Sequence, residues 1–150
     1  MKKTFLFSTL ICFLLLAASV QSIAQIQMNH TTIYVVDLQK SEEFYTKVMQ
    51  LEKIPEPFHD NRHVWYKVGP HSQLHIVSGA KAMVPHEINI HLAFSVAALD
   101  KFIAHLKESK VKFGNWAGDS ETPQRRPDGI DQVYLQDPDG YWIEINNDNF

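Results

Sequence analysis

One pattern is written twice along this chain, and that repetition constrains the fold more than any other feature. His30 is followed at three, five and eight residues by Ile33, Val35 and Leu38, and His91 is followed at the same offsets by Phe94, Val96 and Leu99. The two starts lie 61 residues apart, room for one strand, one helix and three further strands. The first copy opens with an alternating, β-branched strand over Met28–Val36. Asp37 then caps a helix with Leu38, Ser41, Tyr45 and Val48 on one face. Strand-like pieces follow at Val64–Val68 and Gln73–Val77, with the turn signal Gly69-Pro70 between them. The second copy repeats the order. A strand spans Ile88–Val96, and Leu99, Phe102, Ile103 and Leu106 fall at i, i+3, i+4 and i+7 of an amphipathic helix. Strands follow near Val111–Trp116, Gln132–Gln136 and Tyr141–Asn146, the last two joined by Asp137-Pro138-Asp139-Gly140. The expectation is an α+β chain of two tandem βαβββ modules, over about 27–79 and 88–147, with a linker at about 80–87. Together they make one domain over 25–150, within the usual size of a single core.

The segment ahead of the repeat reads as an address. Lys2 and Lys3 precede an apolar stretch from Phe5 to Val20, and Ser22-Ile23-Ala24 supplies small residues where a signal peptidase cuts. The unbroken apolar run Leu10–Ala18 is too short to span a bilayer. Cys12 follows Leu10-Ile11 rather than small residues, which argues against lipid attachment. The expectation is a secretory signal over 1–24, export by the general secretory route to the periplasm or medium, and no stable membrane insertion after cleavage. Removing 24 of 150 residues leaves 126, and losing two lysines and no acids takes the formal charge from −3 to −5. That balance gives no basic surface for nucleic acid. The only cysteine leaves with the leader while all eight histidines stay, so a metal site here must use histidine, carboxylate or water.

Strand faces sort the histidines, because successive side chains point to opposite sides. On the first strand Ile33 and Val35 share one face, and His30, Thr32 and Tyr34 the other. In the piece around His75, Leu74 and Ile76 oppose Gln73, His75 and Val77. Ile90, Leu92 and Phe94 oppose His91, and Tyr141, Ile143 and Ile145 oppose Trp142, Glu144 and Asn146. His30, His75, His91 and Glu144 therefore all lie opposite the apolar rows, as potential ligands of one divalent ion: Fe, Ni, Zn, Co or Mn. His59, His63, His71, His86 and His105 fall in loops or on helix surfaces and are assigned no role.

The segments MNHTTIYVVDLQKSEEFY, SQLHIVSG, INIHLAFSV and QVYLQDPDGYWIEIN resemble the vicinal oxygen chelate superfamily, which includes glyoxalase I, extradiol dioxygenases and bleomycin resistance proteins. The resemblance implies paired modules forming a cupped, incompletely closed β-barrel around one metal. It also implies that His30, His75, His91 and Glu144 hold that metal. Glyoxalase I is similar but carries glutamate or glutamine where this chain has His75. Glu144 then has to serve as both ligand and general base, with His75 a fourth ligand or a catalytic acid–base group beside the metal. The leading expectation is a glyoxalase-like lyase or isomerase acting on a small substrate with vicinal oxygens. Export argues against glutathione adducts as that substrate. The alternatives are a ring-cleaving dioxygenase with Fe(II) on His30, His91 and Glu144, and a non-catalytic protein that binds a small molecule such as an antibiotic. The family pairs modules within one chain or across two, so a homodimer is expected.

Smaller expectations attach to other residues. Ala117–Ile130 is polar and aperiodic, a loop placed to cover the cup, and its Arg125 and Arg126 suit a carboxylate or phosphate. Gln132 stands beside the last strand, and Tyr34, Trp65 and Trp142 suit an aromatic substrate wall.

Overall fold

A computed structural model of the chain describes residues 26–149; the leader read at 1–24 lies outside them. The first module comprises β1 (His30–Val35), α1 (Leu38–Glu43) running into a π-helical turn (Phe44–Val48), β2 (Glu52–Ile54), β3 (His63–Lys67) and β4 (Gln73–Ser78). The second comprises β5 (His91–Ser95), α2 (Leu99–Glu108), β6 (Phe113–Gly114), β7 (Gln124–Arg125), β8 (Asp131–Gln136) and β9 (Trp142–Asn146). Strands run in the order β1-β4-β3-β2 in one sheet and β5-β9-β8-β6 in the other, with β7 also against β8. In each sheet the first strand is parallel to the last of its module, and the remaining pairs are antiparallel. The repeat is thus a repeat of topology. Neither sheet closes on itself, which leaves the open, cupped form expected. Among the described residues no helix is long and apolar enough to cross a membrane.

The alternation that sorted the histidines also builds the core. Ile33 and Val35 of β1, Val64 and Tyr66 of β3, Leu74 and Ile76 of β4, and Ile143 and Ile145 of β9 are buried with Leu99 and Leu106 of α2 in one apolar cluster. Burying each of the larger side chains contributes about 1.5–3 kcal/mol before conformational entropy is charged.

The second module grips the helical segment of the first at both ends. Near its start, Asp139 Oδ1 accepts from Val36 N at 2.7 Å and Oδ2 from Ser41 Oγ at 3.3 Å. Asp137 Oδ2 accepts from the Tyr45 hydroxyl at 3.0 Å. At its end the π-turn closes with Met49 N on Phe44 O. His105 of α2 donates from Nε2 to Val48 O at 3.1 Å and Lys47 O at 3.2 Å. Helix carbonyls left without an intrahelical donor are thereby satisfied from the other module.

Some expectations are corrected. β5 begins at His91, not Ile88, because Ile90 N closes a turn onto Glu87 O; Ile90 leaves the apolar row and is 78% exposed. The strand near Val111–Trp116 shrinks to Phe113–Gly114, since Asn115 N already turns onto Ser120 O. The supposed loop Ala117–Ile130 contains β7, whose two residues complete the edge of β8.

Candidate metal centre

The open face of the second sheet is built on a hairpin. The turn at Asp137–Gly140 fixes a register that sets Gln132 opposite Asn146 and Tyr134 opposite Glu144. Glu144 is 5% exposed, and each of its oxygens is the target of donors. Tyr134 OH donates to Oε2 at 2.7 Å and Asn146 Nδ2 to Oε1 at 2.7 Å. Arg126 NH1 stands 3.5 Å from Oε1, and His91 Nε2 stands 3.3 Å from Oε2. Burial and the neighbouring Glu144 charge push the Tyr134 hydroxyl far above its ordinary range, so it remains a donor. Because a carboxylate only accepts, the Tyr134 proton points at Glu144 and its oxygen accepts from Gln132 Nε2 at 2.9 Å. Gln132 Oε1 is left buried without a hydrogen-bond partner among the described residues.

His91 and Glu144 fit a divalent ion. His91 Nδ1 donates to the Ile88 carbonyl at 2.8 Å, so the neutral ring carries its proton there and its lone pair at Nε2. Two donor atoms that share one ion at about 2.0–2.2 Å lie roughly 3–3.5 Å apart. The Nε2–Oε2 separation of 3.3 Å has that bite.

On the first sheet the corresponding face carries a stack. His75 lies between Trp65, at 3.8 Å and 3°, and His30, at 4.3 Å and 13°. β3 and β4 set Trp65 directly opposite His75, which is why those rings meet. His75 Nε2 donates to Gln73 Oε1 at 2.8 Å, and His30 Nδ1 donates to Asn29 Oδ1 at 2.7 Å. His75 is 9% exposed; burial holds its imidazole below the ordinary range, with His30 and His63 adding to the effect. Trp65 Nε1 is buried without a partner among the described residues. The four expected ligands therefore form two pairs, His30 with His75 and His91 with Glu144. Among the described residues no three His, Asp or Glu side chains are gathered closely enough to hold a metal ion.

The other expected site residues are scattered. Arg125 pairs with Asp131 at the rim at 3.5 Å, whereas Arg126 turns toward Glu144. Trp142 donates from Nε1 to His86 O. It lines a cavity of about 770 Å³ together with Tyr134 and Trp116. Tyr34 is 49% exposed and sits with His86 and Tyr141 by the linker, away from Glu144. Tyr134, Asn146 and Asp128, which complete the surroundings of Glu144 and Arg126, were missed. The hairpin register offered a signal for Tyr134, since the length of the turn dictates which residue opposes Glu144.

The profile of the Glyoxalase/Bleomycin resistance protein/Dioxygenase superfamily matches residues 27–145. The Bacillus subtilis (strain 168) protein YwbC, itself uncharacterised, is 27% identical over 124 residues, covering 79% of this chain and 95% of that protein. Many solved structures share the fold, among them the following two. Oxidase ChaP-H2 superposes with a TM-score of 0.69 at 21% identity, covering 85% of this chain and 97% of the other. A lactoylglutathione lyase from Agrobacterium tumefaciens superposes with 0.60 at 20% identity, covering 83% and 94%.

Proposed function

Since the chain belongs to the glyoxalase/bleomycin resistance protein/dioxygenase superfamily, we propose that it is a divalent-metal-dependent enzyme acting, as a glyoxalase-like lyase or isomerase, on a small molecule with vicinal oxygens. One observation carries the reading: His91 Nε2 and Glu144 Oε2 stand 3.3 Å apart, with the imidazole proton committed to the Ile88 carbonyl on the far side of the ring. His91 and Glu144 would hold the ion from one chain, and His30 with His75 from a second copy. β1 and β5, which carry His30 and His91, are edge strands of their sheets. Tyr141 and Asp139 of the same chain occupy the Tyr34–Val36 end of β1, while its His30–Thr31 end lines a cavity of about 610 Å³ shared with His91–Val96.

When bound, a divalent ion supplies Lewis-acid polarisation of the substrate oxygens. The chain's own groups do the rest. Glu144 would take the substrate proton and return it to the neighbouring carbon, its Oε2 leaving the ion-facing position to do so. Tyr134 and Asn146 orient the carboxylate by donating to its two oxygens, and Tyr134 stays protonated throughout. A second reading, ring-opening oxygenation, gains from one detail. His75 is sandwiched between two rings and bonded to Gln73, which sets it apart from His30, His91 and Glu144, a two-histidine, one-carboxylate set.

The chain is further proposed to be exported, on the strength of its leader; mass spectrometry of the extracytoplasmic protein should find the first 24 residues missing. For the enzyme reading, the test is metal analysis of the leaderless protein after reconstitution, followed by assay against hemithioacetals and, with Fe(II), against catechols under oxygen uptake. One ion per chain, lost in Glu144→Ala, is expected. Sub-stoichiometric metal indifferent to Glu144→Ala would refute the site. A metallated protein that turns over neither panel yet binds a ligand tightly would point to the non-catalytic binder.

A further inference from the structure

Trp116 is 38% exposed, on a braced loop between β6 and β7. Asn115 N donates to Ser120 O at 2.8 Å, Asn115 Nδ2 to Asp119 Oδ1 at 2.7 Å, and Trp116 N to Gln124 Oε1 at 3.1 Å. The indole so carried meets the Tyr134 ring edge-to-face, with 5.5 Å between centroids and 79° between planes. Two rings at a near-right angle form a corner. Trp142, fixed in turn by its Nε1 bond to His86 O at 3.0 Å, lines the same cavity of about 770 Å³. That volume lies within the range of pockets that enclose a small organic molecule.

Two hydrogen bonds tie that cavity to His91 and Glu144. Ile88, on its lining, holds His91 Nδ1 with its carbonyl, and Tyr134 donates its hydroxyl to Glu144. One phenol ring thus separates the cavity from the carboxylate. The charged residues of the lining are exposed, Lys112 against Asp119 and Glu121, and leave no positive excess to select an anion. Ring surface is what the cavity offers instead. A flat ring can lie on one wall of the Trp116–Tyr134 corner and take the edge of the other, the two arrangements aromatic pairs favour. A saturated ring system of the same skeleton gains burial alone. The walls are held before any ligand arrives, so little ordering is left to oppose binding.

We propose that this cavity is a binding subsite for a flat aromatic ring, that Trp116 is the residue that selects it, and that the ligand of the site is an arene with its vicinal oxygens toward His91 and Glu144. Recognition of the ring needs no ion. Only the placing of the oxygens rests on reading His91 and Glu144 as the reacting centre. The competing explanation is that Trp116 merely shields Tyr134. That explanation predicts no preference between flat and puckered ligands.

Two uncharged probes separate these possibilities. Naphthalene-2,3-diol and decahydronaphthalene-2,3-diol carry the same vicinal oxygens on the same two-ring skeleton, one flat and one puckered. Both are titrated by calorimetry into the full leaderless protein in metal-free form, since an arene diol would otherwise report its own affinity for metal. The wild type should bind the flat probe about tenfold tighter or more. Trp116→Leu, which keeps an apolar side chain, should remove that preference while affinity for the puckered probe stays within about threefold. Trp116→Phe should retain the preference. Equal affinities in the wild type, binding of neither probe, or an unchanged preference in Trp116→Leu would overturn the proposal. Nickel uptake, measured separately on the same protein, keeps the two readings apart. A flat-probe preference that Trp116→Leu abolishes, in a protein that takes up no nickel, would sink the metal reading and leave the ring subsite standing. Nickel uptake with equal probe affinities would do the reverse.

Discussion

His91 shows how a single proton decides what a side chain does. With Nδ1 committed to the Ile88 carbonyl, the ring presents a lone pair toward a carboxylate that already has donors from Tyr134 and Asn146. Two lone pairs 3.3 Å apart repel unless a cation or proton lies between them. His75 obeys a different constraint. Burial depresses its basicity, so on acidification the unfolded chain takes up the proton first. Native stability is then full above the ordinary imidazole value of about 6.5 and is lost as pH falls from there through the depressed native value. Urea midpoints should accordingly fall between about pH 7 and about pH 5, and His75→Gln should flatten that slope. An unchanged slope in the variant would remove His75 as the cause. Alternation was enough to put His30, His75, His91 and Glu144 on the faces where they lie. It could not reveal that His75 is a filling between two rings, because that depends on cross-strand register. Asp128 was also out of reach, since its partner is set by the path of a loop.

Strands and helices carried the clearest sequence signals where burial is one-sided, as in β1 and α2. β2 and β7 escaped because Glu52–Ile54 and Gln124–Arg125 are exposed edge pieces without apolar alternation. The Asp137–Gly140 segment was readable as a turn and not as a clamp. Its partners Ser41 and Tyr45 stand 98 and 92 residues away along the chain. Asp137 also accepts from Asp139 N and Tyr141 N, and burial together with the Asp137 charge pushes the Tyr45 hydroxyl well up, keeping it a donor. Asp137→Ala removes all three bonds and strands a buried hydroxyl, so it should cost about 2–3 kcal/mol in chemical denaturation. His105→Ala at the other end of the helical segment should cost about 1 kcal/mol. If Asp137→Ala were as stable as the parent, the clamp would have no energetic weight.

At the scale of the whole molecule, repetition has a consequence that neither module has alone. Each module offers two of the proposed donors, His30 with His75 or His91 with Glu144, so the four-donor site proposed here draws on two modules. The repeat and the four candidate donors were legible in the sequence, which put all four on one surface; their division into two pairs was not, nor was which modules meet, since local patterning is the same for partners within one chain or across two. The pairing proposed here makes the leaderless protein a dimer, with a sedimentation mass twice that of its chain at micromolar concentration. A monomer that still bound one ion per chain would rule it out.

The most direct measurement combines that assembly with the metal. His30→Ala and Glu144→Ala chains, differently tagged and co-expressed, are isolated as the mixed dimer and analysed for bound divalent ion. If each site takes His30 and His75 from one copy and His91 and Glu144 from the other, both substitutions fall in one site and the second is intact. The mixed dimer should then hold one ion, the wild-type dimer two, and either variant alone none. A mixed dimer that binds no ion, beside a wild type that binds two, would contradict the account.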